Sequence, residues 1–102
     1  MSRLKQLQKL AEAQPDDPLA HYGVGLECMQ LELWTEALEA FERTLSIDAH
    51  YAAAYTQKAR VQLKLGQREA AKDTVRTGVN VARAAGDVHT AGEMEKTLES
   101  LS

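Results

Sequence analysis

The sequence is poor in the residues that build disulfide scaffolds, sheets and nucleic-acid grips. It has one cysteine, two prolines and one phenylalanine, and aromatic residues make up 5% of it. A lone Cys28 has no partner for an internal disulfide, so a reducing, cytoplasmic setting is expected. Few aromatics beside abundant Ala and Leu favour helix over strand. Positive charge is not in excess: twelve Lys and Arg face fifteen Asp and Glu, for a formal net charge of -3. Proteins that grip nucleic acid present basic faces, so that role is not expected. No apolar run approaches the roughly 18 residues of a membrane span, which sets membrane insertion aside. Charges interrupt the stretch from Met1 to Leu7, so no signal-peptide core is expected there. Nor is there a low-complexity linker.

What is present has the size of one domain, 102 residues, of which 44% are hydrophobic and 26% charged. Two breaks are plain. Pro15-Asp16-Asp17-Pro18 stops one helix and starts the next, with Asp17 as N-cap and Pro18 at the first helical position. At Ala85-Gly86-Asp87, Gly86 supplies a left-handed helix end and Asp87 a second cap. Weaker breaks fall near Leu33-Trp34-Thr35, Ser46-Ile47-Asp48 and Leu65-Gly66-Gln67. Between them the apolar spacing is helical, as in Leu4, Leu7, Leu10, Ala11 and again in Ala37, Leu38, Phe41, Leu45. The spacing predicts six helices, over about 2–14, 19–32, 35–47, 52–65, 68–85 and 88–101. Short turns between them make neighbours antiparallel.

The chain also repeats. Ala37 and Ala71 stand 34 residues apart, and so do Glu32 and Gly66, Gly25 and Ala59, and His21 and Tyr55. A helix–turn–helix unit of that period resembles the tetratricopeptide repeat. The first repeat would span 18–51, carrying His21, Val24-Gly25, Cys28, Trp34, Ala37 and Phe41, with Ala49 in the usual proline place. The second would span 52–85, carrying Tyr55, Lys58-Ala59, Gln62, Gly66, Ala71 and Val75. Residues 1–17 resemble the second half of a repeat, closed by Pro15, and 86–102 a first half used as a capping helix. Lys58 and Gln62 depart from the apolar pattern. The resemblance implies one all-α domain, an antiparallel array of about six helices in an α-α superhelix. It further implies protein or peptide binding in a concave groove lined by the first helix of each repeat.

Nothing in the pattern points to catalysis, a cofactor or a metal. His21, His50 and His89 lie in different elements, and no zinc-helix spacing links them. Gly23-x-Gly25 lies inside a helix with no strand before it, which suits tight packing and not a phosphate loop. Cys28 falls where the resemblance puts a core residue. Glu36, Glu39 and Glu42 read as the solvated face of an amphipathic helix.

The groove residues follow from helix phase. If His21, Val24, Gly25 and Cys28 pack inward, the other face of the first groove helix carries Leu19, Tyr22, Leu26 and Met29. Tyr22 is the anchor type, amphipathic and large. The matching face of the next groove helix carries Thr56, Gln57, Arg60 and Lys64, which is polar and basic. Charge is segregated to match: residues 18–51 hold six acids and one base, and residues 52–85 two acids and seven bases. Three readings follow: ion pairs between solvated faces, a basic strip for an acidic partner segment, or acidic-to-basic self-association. The carboxylate clamp of some tetratricopeptide co-chaperones is not implied, because its places hold Tyr22, Leu26, Gln57, Asp87 and Ala91. The leading expectation is therefore a cytoplasmic adaptor for a peptide or partner protein. The alternative is a homo-oligomer whose groove a neighbour fills.

Overall fold

The computed structural model describes residues 2–102, which form six α-helices: α1 Arg3–Ala13, α2 Pro18–Gln30, α3 Trp34–Ile47, α4 Ala52–Lys64, α5 Arg68–Ala84 and α6 Val88–Leu101. Each packs mainly on its neighbour in sequence, and α2 also touches α4. The extents are 41 × 29 × 18 Å. The shortest is under two helix diameters, as expected of a layer of α2, α4 and α6 nested against a layer of α1, α3 and α5. The predicted boundaries agree with the observed ones to within two residues.

The helix ends explain why the chain turns where it does. Asp17 accepts from the Leu19 N–H at 3.0 Å, and Asp87 from the Thr90 N–H at 3.1 Å. Ser2 caps α1 the same way through Lys5 N–H. At the other ends one motif occurs three times. The N–H groups of Leu33, Gln67 and Asp87 reach back to the carbonyls of Cys28, Gln62 and Ala82, each at 2.8 Å. Each such closure needs a left-handed residue before it. Gly66 and Gly86 supply it at φ +76° and +78°, whereas Glu32 does so at φ +60° with a full side chain.

The turns between repeats are tied alike. His21 Nε2 donates to the Pro15 carbonyl at 2.9 Å, and the Tyr55 hydroxyl donates to the Ala49 carbonyl at 2.7 Å. Both donors and both acceptors are 34 residues apart. The ring at that position anchors the following helix to the end of the preceding unit.

Two buried clusters form the core. One gathers Cys28, Ala37, Phe41 and Val61; the other gathers Tyr55, Ala59, Ala71, Val75, Val79, Met94 and Leu101. The repeats reach similar packing with exchanged sizes. In the first, Gly25 admits the ring of the fully buried Phe41. In the second, the matching positions hold Ala59 and the smaller Val75, both in one buried cluster.

The two residues that break the apolar pattern are matched by partners. Gln62 is buried, and the buried Thr74 hydroxyl donates to its Oε1 at 2.7 Å. The corresponding pair in the first repeat is Cys28 and Ala40, so both members changed together. A buried amide facing alanine would be left wanting a hydrogen bond, which costs roughly 1–3 kcal/mol. Lys58 lays its stem against the helices and reaches Glu42 of α3 at 3.7 Å.

Candidate functional site

One face of the array collects side chains from α2, α4 and α6 into three hollows. The first lies between α1, α2 and α4, lined by Leu7, Gly23, Leu26, Met29, Gln57 and Arg60 among others. The second lies at the α2–α4 edge, lined by Met29, Trp34, Arg60, Leu63 and Lys64. The third is narrow and mostly apolar. It lies between α4 and α6 over a floor that includes Val75 of α5. Arg60 lines all three.

The sequence-derived groove residues distribute unevenly over this face. Leu26, Met29, Gln57 and Arg60 come together in the first hollow, and Lys64 borders the second. Thr56 lines the third. Leu19 is 62% exposed at the start of α2 and lines none of the three. Tyr22 is half-buried, with its ring centroid 5.6 Å from that of Phe41 and 5.0 Å from that of Tyr51. It packs against the core cluster of the first repeat, so its ring is engaged within the chain rather than standing free over the groove.

Among the lining residues missed are Leu63, Met94 and Thr97. The signal for them was in the sequence. Leu26, Arg60 and Met94 form one row at 34-residue spacing, and Met29, Leu63 and Thr97 form another. Carrying the period from the first groove helix through the third would have found all three.

Electrostatics separate the two faces. On the outer face, clefts between α1 and α3 and between α3 and α5 carry Glu12, Glu36, Glu39 and Arg43, then Lys58 and Asp73. Most cations of the second repeat are paired: Lys58 with Glu42, Lys72 with Glu69 at 3.4 Å, Arg76 with Asp73 at 2.9 Å, and Arg83 with Glu95. On the groove face, Arg3 pairs with Glu27 at 3.0 Å. Lys64 lies 5.6 Å from the Trp34 ring centroid, within cation–π range. Arg60 has only a long 3.4 Å contact with Gln57 Oε1.

Cys28 is 1% exposed and free. Burial, with Glu36 and Glu27 nearby, pushes its thiol above the ordinary range. A thiol so placed is a poor nucleophile, because the thiolate is the reactive form. The histidines make separate contacts, His21 with Pro15, His50 with Asp48 and His89 with Glu93. Among the described residues no helix is long and apolar enough to cross a membrane.

Paired antiparallel helices, a 34-residue repeat and a lined inner face define a helical-repeat interaction module. The family model described as tetratricopeptide repeat matches residues 29–92, and the chain belongs to that family. Solved structures agree in fold. PcrH in complex with the chaperone binding region of PopD superposes with a TM-score of 0.89 at 21% identity, covering 96% of this chain and 74% of that one. The TPR2B domain of yeast Sti1, in its pHsp70 complex, gives 0.89 at 16% identity, covering 96% and 78%. A tetratricopeptide repeat domain protein from Salinibacter ruber gives 0.81 at 25% identity, covering 86% and 89%. The sequence has no significant match among curated proteins.

Proposed function

We propose that the face formed by α2, α4 and α6 holds a segment of a partner protein. The observation that carries this reading is the run of hollows meeting at Arg60, with apolar Leu26 and Met29 on one side and Leu63 on the other. Apolar lining with few polar groups is what binding sites share. The PcrH and Sti1 domains of the same fold are themselves known in complexes with partner segments, which supports the reading by analogy. The single buried thiol fits an adaptor working in the cytoplasm.

A peptide-display selection on the immobilised protein tests this. Selected peptides are then titrated against wild type and Leu26→Glu. The variant is expected to bind at least about tenfold more weakly, the loss that removal of one well-buried apolar contact gives. Its melting temperature should stay near wild type, because Leu26 is 37% exposed. Equal affinity for both proteins places the binding surface elsewhere.

A second reading rests on charge. The first repeat is acidic and the second basic, so two copies can meet acidic face to basic face and fill one another's groove. Sedimentation at low and high salt distinguishes it. Self-association predicts a mass above one 11.2 kDa chain at low salt that falls as salt rises.

A further inference from the structure

The cations of the second repeat divide by location. Lys58 beneath the outer face, and Lys72, Arg76 and Arg83 of α5, have acidic partners within the chain. Arg68 donates to the Leu101 carbonyl at 2.7 Å and so ties α5 to the end of α6. Two are left on the groove face: Lys64, which lies over the Trp34 ring, and Arg60, with no acidic partner among the described residues and a single long contact to a neutral amide. Arg60 stands at the mouth of the narrow hollow between α4 and α6, whose wall includes Ala59, Leu63, Val75, Met94 and Thr97. An unpaired guanidinium beside a small apolar pit combines two recognition elements. The pit excludes water from a side chain, and the fork pairs with a carboxylate.

We infer that this hollow receives one leucine- or methionine-sized side chain of an acidic partner segment, and that a carboxylate next to that side chain pairs with Arg60. This rests on the proposed use of the inner face. The exposed lining of the pit is mostly apolar, and the Tyr55 hydroxyl is already taken up by the Ala49 carbonyl, which suits a side chain better than a polar metabolite. One guanidinium with Lys64 is too little positive charge to track a phosphate backbone on a chain of net charge -3. Met94 gives the wall a flexible thioether that adjusts to the entering side chain.

The test uses short labelled peptides of defined chemistry. The first carries alternating Glu and Leu; in the second every Glu is Gln; in the third every Leu is Ala. Wild type should bind the first about tenfold more tightly than either of the others, the worth of one charge-assisted hydrogen bond or one seated side chain. Arg60→Gln should lose the preference for Glu over Gln and keep the preference for Leu over Ala. Thr97→Trp places an indole over the pit from an exposed position and should lose the preference for Leu over Ala while keeping that for Glu. Circular dichroism melts confirm that both variants fold. Failure of the first peptide to bind, or unchanged preferences in both variants, overturns the inference. If display-selected peptides still lose affinity on Leu26→Glu, the inner face remains the binding surface and only its assignment to an acidic, leucine-bearing segment fails. If the inner face is instead occupied by a second copy, Arg60→Glu reduces the mass in sedimentation, and the inference is overturned in favour of self-association.

Discussion

The exchange of sizes between the repeats can be measured. A Cβ built on Gly25 would lie 2.5 Å from Cε1, 2.7 Å from Cζ and 2.8 Å from Cδ1 of Phe41. Carbon atoms in contact prefer roughly 3.5–4.0 Å, so the overlap is close to a full ångström. The ring is 0% exposed and cannot swing into solvent. Overpacking of this kind costs about 1–3 kcal/mol, and the better helix propensity of Ala returns about 1 kcal/mol. Gly25→Ala alone should therefore destabilise by at most about 2 kcal/mol. Phe41→Val alone leaves a cavity and should cost about 2–3 kcal/mol. Together they install the Ala–Val pair found at residues 59 and 75, and the new methyl enters the space the ring gave up. The double variant should then lose about 1–2 kcal/mol less than the two single losses added together. Urea unfolding of the four proteins, followed by far-ultraviolet circular dichroism, gives each value. Additivity within about 0.5 kcal/mol would refute the reasoning, since it would mean the two sites do not share space.

Glu32→Gly should raise stability by about 0.5–1 kcal/mol, because a side chain in the left-handed region is strained and Gly is not; a melt that fails to rise argues against strain at that turn. Cys28 should react slowly with a thiol reagent at neutral pH and quickly in denaturant, since it is buried and its thiol is pushed up by that burial; rapid native labelling would put α2 in a different rotation. Tyr22→Ala should cost about 2–3 kcal/mol through lost packing on Phe41 and Tyr51, and a thermal melt at the wild-type temperature would return its ring to the groove.

Helix ends were legible because they are written in single residues. Asp17, Gly66, Gly86 and Asp87 each have one physical use at their position, and each has it. The rotation of α2 was legible for Val24, Gly25 and Cys28, since small or apolar residues at that spacing leave one inward face. Tyr22 was harder. It sits beside that face, and an aromatic ring is long enough to reach across to Tyr51 at the start of α4. Helix phase gives the direction of the Cα–Cβ bond but not where a ring of that size ends. The meaning of Gln62 and Lys58 was illegible for another reason. Each is explained by a residue on a different helix, Thr74 and Glu42, and sequence position alone does not say which pairs meet. Reading the repeats as aligned pairs recovers the first case, because Cys28 with Ala40 becomes Gln62 with Thr74.

The same alignment separates what packing demands from what it leaves free. Moved by 34 residues, core positions change in pairs: Gly with Phe becomes Ala with Val, Cys with Ala becomes Gln with Thr, and Ala37 remains Ala71. Each change is answered by another in contact with it. The rows on the inner face behave differently. Leu26 becomes Arg60 and then Met94, and Met29 becomes Leu63 and then Thr97. Within the chain Arg60 has no answering acid among the described residues. Met94 lies in the buried core and Met29 and Leu63 pack against it, so packing accounts for those three, whereas Leu26, Arg60 and Thr97 are exposed and packing asks nothing of them beyond a side chain that does not clash. On the proposed use of this face, a partner lying along Leu26, Arg60 and Met94 would place an acidic group between two apolar ones. Arg60 then fixes the register of that segment, because a slip by one place would bring the carboxylate over Met94 or Leu26, where nothing pairs with it.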